Sequence, residues 1–427
     1  MATGFPTAST ATSVSSLANL YEKTNTDVKT GIKLITEESK WFRSYPKEQI
    51  TVSGNENRVP LILLQPTAPA MIPDGGNEAR MNTVAPTSGT FMPVQMNQRY
   101  GYTGLAQALS NRARGAMIED QTAYQASMAI YSFGRAIGLQ TYGSSVGTLA
   151  LVKTGTSGTA NVTIALKDAY GSSTLCPGTG TEQLAYLSSL FRAGDRVALV
   201  TGSSINEFGT VISASAGNVV VTFTAATTVN VGDKLVLANA DTDVTITGTD
   251  YNNWPIGFTD CLLNDSVLAV TTTNYPAWAA GSSASASQLL SFAVKEKMVN
   301  DCFNASGATI NRFIIPQGVR RSAISAELGG RRYDSAEVDV EGDMKAGSGQ
   351  QYFTSQLAIP GVMIGWYDQA YRKIELSDLP EDGGGKGIFK LDKVQGKSQV
   401  AASYDYFYAK IPSSRAAMGY ASNLTSA

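Results

Sequence analysis

The segment LDKVQGKS at 391–398 ends in Gly396, Lys397 and Ser398, as a phosphate-binding loop does. Such a loop cradles phosphates on glycine-rich backbone amides, but the first glycine it requires falls on Leu391. GTGTEQ at 178–183 opens like a dinucleotide fingerprint, then carries Gln183 in place of the last glycine. EVDVEGD at 337–343 alternates carboxylates ahead of a glycine, as a calcium loop does, yet Ser348 stands where the bidentate glutamate belongs. That run reads as a solvated acidic strand. The chain has no histidine, which removes the usual general base, the Ser-His-Asp triad and every histidine-bearing metal site. Cys176, Cys261 and Cys302 are far apart and odd in number, so they make neither a disulfide framework nor a Cys-x-x-Cys site, and a reducing compartment fits them best. No catalytic, cofactor-binding or metal constellation survives, and the expectation is a protein that is not an enzyme and holds no cofactor.

A chain of 427 residues suggests two or three domains. Charged residues make up 16%, against roughly 25% in ordinary soluble domains, so much of the surface is suited to meeting other protein. The net charge is −2 and there is no basic run of five residues. Direct sequence reading of nucleic acid needs clustered Lys and Arg, so it is disfavoured, whereas enclosing nucleic acid without gripping it is allowed. The N-terminus lacks the basic and apolar regions of a signal peptide, and the longest aliphatic run is Leu61 to Leu64, so nothing directs the chain to a membrane.

The elements that must carry any function follow in order. Residues 1–40 form a Ser/Thr/Ala-rich arm, and 41–102 an extended two-stranded loop whose middle, with Pro69, Pro73, Asp74, Gly75 and Gly76, is turn-rich. Over 103–138 an apolar stripe of Leu105, Leu109, Ala113, Met117, Tyr124, Met128 and Tyr131 predicts one long helix, about 50 Å at ~1.5 Å per residue. GTLALVK and ANVTIALKD then make a hairpin-like region. AGDRVALV at 193–200 returns as VGDKLVLA at 231–238, each a Gly-Asp turn feeding an alternating strand, and 193–240 reads as a small β-barrel in which Asp195 and Asp233 serve turn geometry. Residues 250–286 read as irregular, anchored by Trp254 and Trp278. A second amphipathic helix, 287–304, is apolar at Leu289, Phe292, Val299 and Phe303. The remainder alternates short strands with glycine-rich turns, which makes the whole chain α+β without a periodic βαβ unit.

This order of elements resembles the major capsid proteins of tailed bacteriophages, the Hong Kong 97 fold family. MIPDGGNEAR at 71–80, SNRARGAMIEDQ at 110–121, FRAGDRVALV at 191–200 and LLNDSVLAVTTTNYPAWAA at 262–280 resemble members locally. The resemblance implies an N-terminal arm at 1–40, an E-loop at 41–102 and a spine helix of the peripheral domain at 103–138. It further implies an axial domain at 139–192 and 241–380, with the barrel 193–240 inserted in it, and peripheral strands and a tail at 381–427. Contact candidates are Met71, Pro73, Asp74, Arg80 and Met81 at the loop tip and Arg112, Arg114 and Glu119 on the helix. The implied subunit assembles into pentamers and hexamers of an icosahedral shell around double-stranded DNA, in the virion and, during assembly, in the host cytoplasm. Forty residues of arm are too few for a fused scaffolding segment, so a separate scaffolding protein is the expected partner, with a portal protein. An encapsulin-like compartment shares the fold and is the alternative. A carboxylate-dependent glycosidase and a secreted adhesin have less behind them.

Some relatives weld their shells through an E-loop lysine, but none occurs between Lys47 and Lys153. Stability then rests on noncovalent interlock or on a cement protein. Mature particles are expected to run as single chains on a denaturing gel, and a ladder of mass-shifted multimers would refute this.

Overall fold

A computed structural model describes residues 57–61, 63, 87–103, 121–176, 179–238, 254–285, 287–329, 337–338, 344–345, 350–375, 388–393 and 399–425. The strand-like flanks of the extended loop, β1 (Asn57–Leu61) and β2 (Thr87–Phe91), pair antiparallel from Asn57↔Phe91 to Leu61↔Thr87. The chain continues into β3 (Val94–Thr103), and helix α1 spans Gln121–Tyr142. Two bounds of the expected helix 103–138 therefore change. Thr103 ends a strand, and the helix runs past Gly138 because Leu139 and Tyr142 are buried and reward its continuation. Residues 104–120 lie outside the described residues.

Next come β4 (Thr148–Val152), β5 (Thr156–Gly158), β6 (Val162–Lys167), helix α2 (Thr181–Ser189), β7 (Arg196–Thr201), β8 (Ser204–Ser215), β9 (Asn218–Phe223), β10 (Thr227–Val229) and β11 (Lys234–Leu237). A closed barrel forms in the order β11-β4-β6-β9-β8-β7. The barrel expected over 193–240 is thus too small by two strands. Its own four strands leave β9 and β11 as open edges, and β6 and β4 fill that gap, leaving no unpaired edge in the ring. Val162, Ile164, Leu166, Val197, Leu199, Val211, Val219, Val221, Phe223 and Leu235 are buried together within it.

The repeated phrase closes this ring against itself. Strand β7 pairs antiparallel with β11, from Lys234↔Val200 to Leu237↔Val197. Each copy opens with the same turn. The amides of Asp195 and Asp233 donate to the carbonyls of Arg192 and Asn230, at 3.0 and 3.2 Å. Gly194 and Gly232 take φ of +91° and +88° at the third turn position, which glycine tolerates. Each aspartate then accepts the amide three residues back, Arg192 at 2.7 Å and Asn230 at 2.8 Å. Each turn also docks alike on the next strand: Gly194 N–H donates to Val211 and Gly232 N–H to Val152, while the amides of Val211 and Val152 donate back to the aspartate carbonyls. The barrel therefore has an approximate two-fold relation of β7-β8-β9 to β11-β4-β6.

The chain then forms α3 (Phe258–Leu263), β12 (Ser266–Val267), β13 (Val270–Thr271), β14 (Ser282–Ser285), α4 (Phe292–Ser306), β15 (Arg312–Ile315), α5 (Gln317–Gly329), β16 (Glu337–Val338), β17 (Met344–Lys345), β18 (Gln351–Thr354) and β19 (Met363–Trp366). A 7-stranded sheet runs β14-β23-β19-β15-β18-β17-β16, where β23 is Met418–Ser422. Strand alternation splits its side chains between two cores. Phe313, Ile315, Tyr352, Met363 and Ala421 pack with Met298, Val299 and Cys302 of α4 and Val319 and Ala323 of α5. Ile314, Phe353, Ile364, Trp366, Met418 and Tyr420 join the larger core with α1, the barrel and Phe258. The stretch 250–286, expected to be irregular, holds the short helix α3 and three short strands. Elements this brief leave no periodicity to detect.

Strands β20 (Tyr371–Glu375), β21 (Ile388–Lys393) and β22 (Gln399–Pro412) form a third sheet, and β3 lies along β22 from Thr103↔Gln399 to Val94↔Tyr408. No described helix is long and apolar enough to cross a membrane.

The two barrel turns differ in one respect that can be measured. Asp195 also receives Arg135 of α1 in a two-pronged ion pair, at 2.9 and 2.7 Å, while Asp233 receives the hydroxyl of Thr201 at 2.8 Å. Asp195→Asn keeps an acceptor for the turn but loses the charge that faces Arg135, and is expected to cost about 1.5–3 kcal/mol. Asp233→Asn, facing neutral donors, is expected to cost about 1 kcal/mol. Urea midpoints of the two variants check this, and equal losses would contradict it.

Candidate subunit-contact face and the junction behind it

Helix α4 begins where the Ser291 hydroxyl accepts the amide of Val294 at 3.4 Å, and ends at Gly307. Of the four apolar residues the sequence marks over 287–304, Leu289 precedes the helix and only Val299 is buried. Leu289, Phe292 and Phe303 are 50%, 49% and 50% exposed. The helix instead buries Lys295, Met298, Val299 and Cys302, a stripe at steps of three, one and three that faces the sheet. Lys295 is accommodated because its ammonium donates to Gln350 Oε1 at 3.0 Å, approaches Glu296 at 3.5 Å and lies 4.9 Å from the Phe292 ring centre. Phe292 and Phe303 are eleven positions apart, close to three turns, and so share the outward side of α4. A charged residue in the buried stripe and phenylalanines outside it hid the true face from periodicity.

Behind this surface, buried polar groups tie the units together at the end of α1. Lys410 of β22 donates to Thr141 Oγ1 at 2.5 Å, and Tyr408 OH bonds Gln140. Thr259 of α3 donates to the Tyr142 carbonyl at 2.6 Å. Asp260 accepts the Ser145 amide at 2.6 Å and the Asn264 side-chain amide at 2.5 Å. Arg415 is buried and donates to the carbonyls of Cys261 and Asn264, at 2.7 and 2.5 Å, so a cation sits at the C-terminal end of α3. Burial shifts these groups toward their neutral forms. The Asp260 carboxyl lies above the usual carboxylate range, partly offset by the Ser145 and Gly257 amides, and the Lys410 ammonium lies well below the usual lysine range.

The chemical motifs do not converge. GTGTEQ straddles the start of α2, where Gly180 is the N-cap and the Thr179 amide donates to the Gln183 side chain at 3.1 Å, so Gln183 serves the helix end. Leu391, Asp392 and Lys393 lie in β21, while Gly396, Lys397 and Ser398 lie outside the described residues. Of the acidic run, Glu337 and Val338 form β16. Among the described residues no group of three or more Cys, Asp or Glu is placed to hold a metal ion. The contact candidates Met71, Pro73, Asp74, Arg80, Met81, Arg112, Arg114 and Glu119 all lie outside the described residues. The exposed apolar face of α4 is a candidate contact surface that sequence reasoning missed.

No protein-family model and no curated protein sequence matches the chain. Among solved structures, it is similar to the cyanophage A-1(L) capsid asymmetric unit, with a TM-score of 0.52 at 9% identity, over 97% of this chain and 99% of that one. Gordonia phage Cozz gives a TM-score of 0.46 at 10% identity, over 98% and 96%. An encapsulin complex from Synechococcus elongatus PCC 7942 gives 0.45 at 8% identity, over 94% and 92%. At such identity the likeness is one of fold, and the fold is that of a phage capsid chain.

Lys410 makes stability depend on pH with a definite sign. Its proton is held less tightly in the folded than in the unfolded chain, so the unfolded state binds more protons between the two pKa values. Stability is expected to rise with pH as the alkaline range approaches the ordinary lysine pKa, and to fall as pH is lowered through that window. Lys410→Met should flatten this slope in urea titrations between neutral and alkaline pH, and an unchanged slope would exclude Lys410 as its source.

Proposed function

We propose that this chain is the major capsid protein of a tailed bacteriophage, a structural subunit of the Hong Kong 97 type that assembles into pentamers and hexamers of an icosahedral shell around double-stranded DNA. The observation that carries the reading is the end-to-end fold likeness to a cyanophage capsid chain, 97% of one and 99% of the other. In this reading 1–40 is the arm, 41–102 the E-loop, and the helix that includes α1 the spine. The axial domain expected at 139–192 and 241–380 then centres on the 7-stranded sheet with α4 and α5, which takes β23 from the expected peripheral segment 381–427, while the peripheral sheet of β21, β22 and β3 takes β20 from the expected axial segment. The barrel of β4, β6, β7, β8, β9 and β11 is an insertion into the axial part, available for contacts or for decoration of the shell.

Function then follows from small contacts repeated by symmetry. Leu289, Phe292 and Phe303 hold apolar area that a lone subunit leaves in water, and covering the exposed half of one such side chain yields about 1 kcal/mol. A neighbouring copy that covers this face gains that amount at every equivalent contact of the shell. A net charge of −2 suits a container through which DNA must slide. A separate scaffolding protein and a portal protein complete the assembly, with noncovalent interlock or a cement protein holding the shell, and assembly takes place in the host cytoplasm and ends in the virion.

The purified chain, alone or with a scaffold from the same genome, is expected to form closed shells tens of nanometres across by negative-stain microscopy. Phe292→Ser with Phe303→Ser should leave folded subunits that no longer close. A compact monomer under both conditions would overturn the reading, and a protein cargo in place of DNA would make the shell an encapsulin-type compartment.

A further inference from the structure

The hairpin of β12 and β13 pairs Ser266↔Thr271 and Val267↔Val270, so its turn is made of Leu268 and Ala269 alone. Both take positive φ, +57° and +61°. A two-residue hairpin turn calls for this left-handed backbone, and Asn-Gly or Gly-Gly ordinarily supplies it, because a Cβ strains it. Neither leucine nor alanine eases that strain. What holds the turn is the base of the β1–β2 ribbon lying against it. The Thr90 amide donates to the Leu268 carbonyl at 3.0 Å. Leu268 is 5% exposed and shares one core with Leu61 and Phe91 of the ribbon. Gly89 approaches so closely that a Cβ there would stand 3.0 Å from Leu268 Cβ and 3.0 Å from Leu61 Cδ1. Behind the turn, the Trp278 indole donates to the Val267 carbonyl at 3.2 Å and keeps the hairpin seated in the same core.

We propose that this turn is a sprung clasp for the ribbon. With the ribbon docked, Leu268 and Ala269 are held left-handed, and when its base lifts off they relax to ordinary backbone. A two-stranded ribbon is marginally stable by itself, so its place depends on this docking. Relaxation of the turn offsets part of what undocking loses, so the base opens locally while the barrel and the 7-stranded sheet stay folded. In the capsid reading the ribbon is the base of the E-loop, and the clasp sets how readily that base repositions on its own subunit. The proposal concerns a single subunit and stands whether or not shells form. Ala269 gives access to it, since its side chain is exposed and a change there acts through the backbone.

The test is hydrogen exchange at single amides of the full chain, under conditions where exchange follows the opening equilibrium. Thr90 is compared with Val152 and Leu166, whose amides donate to the carbonyls of Asp233 and Gly217 within the barrel. Thr90 is expected to exchange at least tenfold faster, after correction for intrinsic rates. Ala269→Gly removes the Cβ penalty from the docked turn and is expected to slow Thr90 about fivefold, with Thr90 still the faster amide. Ala269→Val places a branched side chain on left-handed backbone and is expected to speed Thr90 by a similar factor. A turn that stayed left-handed after the ribbon lifted would feel each change equally in both states, and Thr90 would keep its rate. An unchanged Thr90 rate in both variants, or a Thr90 rate no faster than that of the barrel amides, would overturn the proposal.

Discussion

The last turns of α1 are the constraint on which the rest of the subunit depends. Within eight residues this helix sends Arg135 to the barrel turn at Asp195, receives Lys410 and Tyr408 of β22 at Thr141 and Gln140, and offers the Tyr142 carbonyl to Thr259 of α3. Ile137, Leu139 and Tyr142 are fully buried between these contacts. Hydrophobic packing alone would let three units slide on a common helix, because apolar contact carries little direction. Hydrogen bonds from buried groups do carry direction, and leaving any of them unmade costs more than making it gains. The relative placement of barrel, sheet and α3 is therefore fixed by a few polar contacts inside an apolar setting.

Strand β22 extends that constraint to the opposite side of its sheet. Its alternation sends Tyr406, Tyr408 and Lys410 toward α1, and Ala409 and Ile411 into a separate core with Trp278, Val267 and Ile374. Trp278 anchors that core, since its indole donates to the Val267 carbonyl at 3.2 Å and its ring faces the buried Arg415. Arg415 in turn caps α3, whose first turn holds the Thr259 that meets α1. Polar contacts thus run in a loop from α1 through β22 to α3 and back. Such a loop holds α1, the sheet of β22 and α3 in one fixed arrangement.

How much of this was legible in the sequence depended on whether a pattern had one cause or two. The barrel turns were legible because Gly-Asp before an alternating run has a local cause, and the structure adds that the two copies pair with each other. That β4 and β6 complete the ring was not legible, since closure is decided by partners far along the chain, Asn218 for Ala165 and Lys234 for Leu151, in strands that read equally well as a free hairpin. Helix α3 was missed because six residues are too few to show a period. The end of α1 was misplaced at Gly138 because a glycine inside a helix looks like a stop when the burial that outweighs it is unseen.

Helix α4 shows the harder limit. Leu289, Phe292, Val299 and Phe303 are apolar, and sequence cannot say whether an apolar residue is covered by its own chain or by another. In this chain the two demands fall on different sides of one helix: Val299 goes inward with Met298 and Cys302, while Phe292 and Phe303 go outward. Lys295 can join the inward stripe only because Gln350 and Glu296 meet its ammonium. An exposed pair of phenylalanines has no use in an isolated subunit, where it only invites nonspecific association. Its persistence next to a charged residue that is buried with partners is accounted for if the outward side is itself an interior, formed when copies of the chain come together.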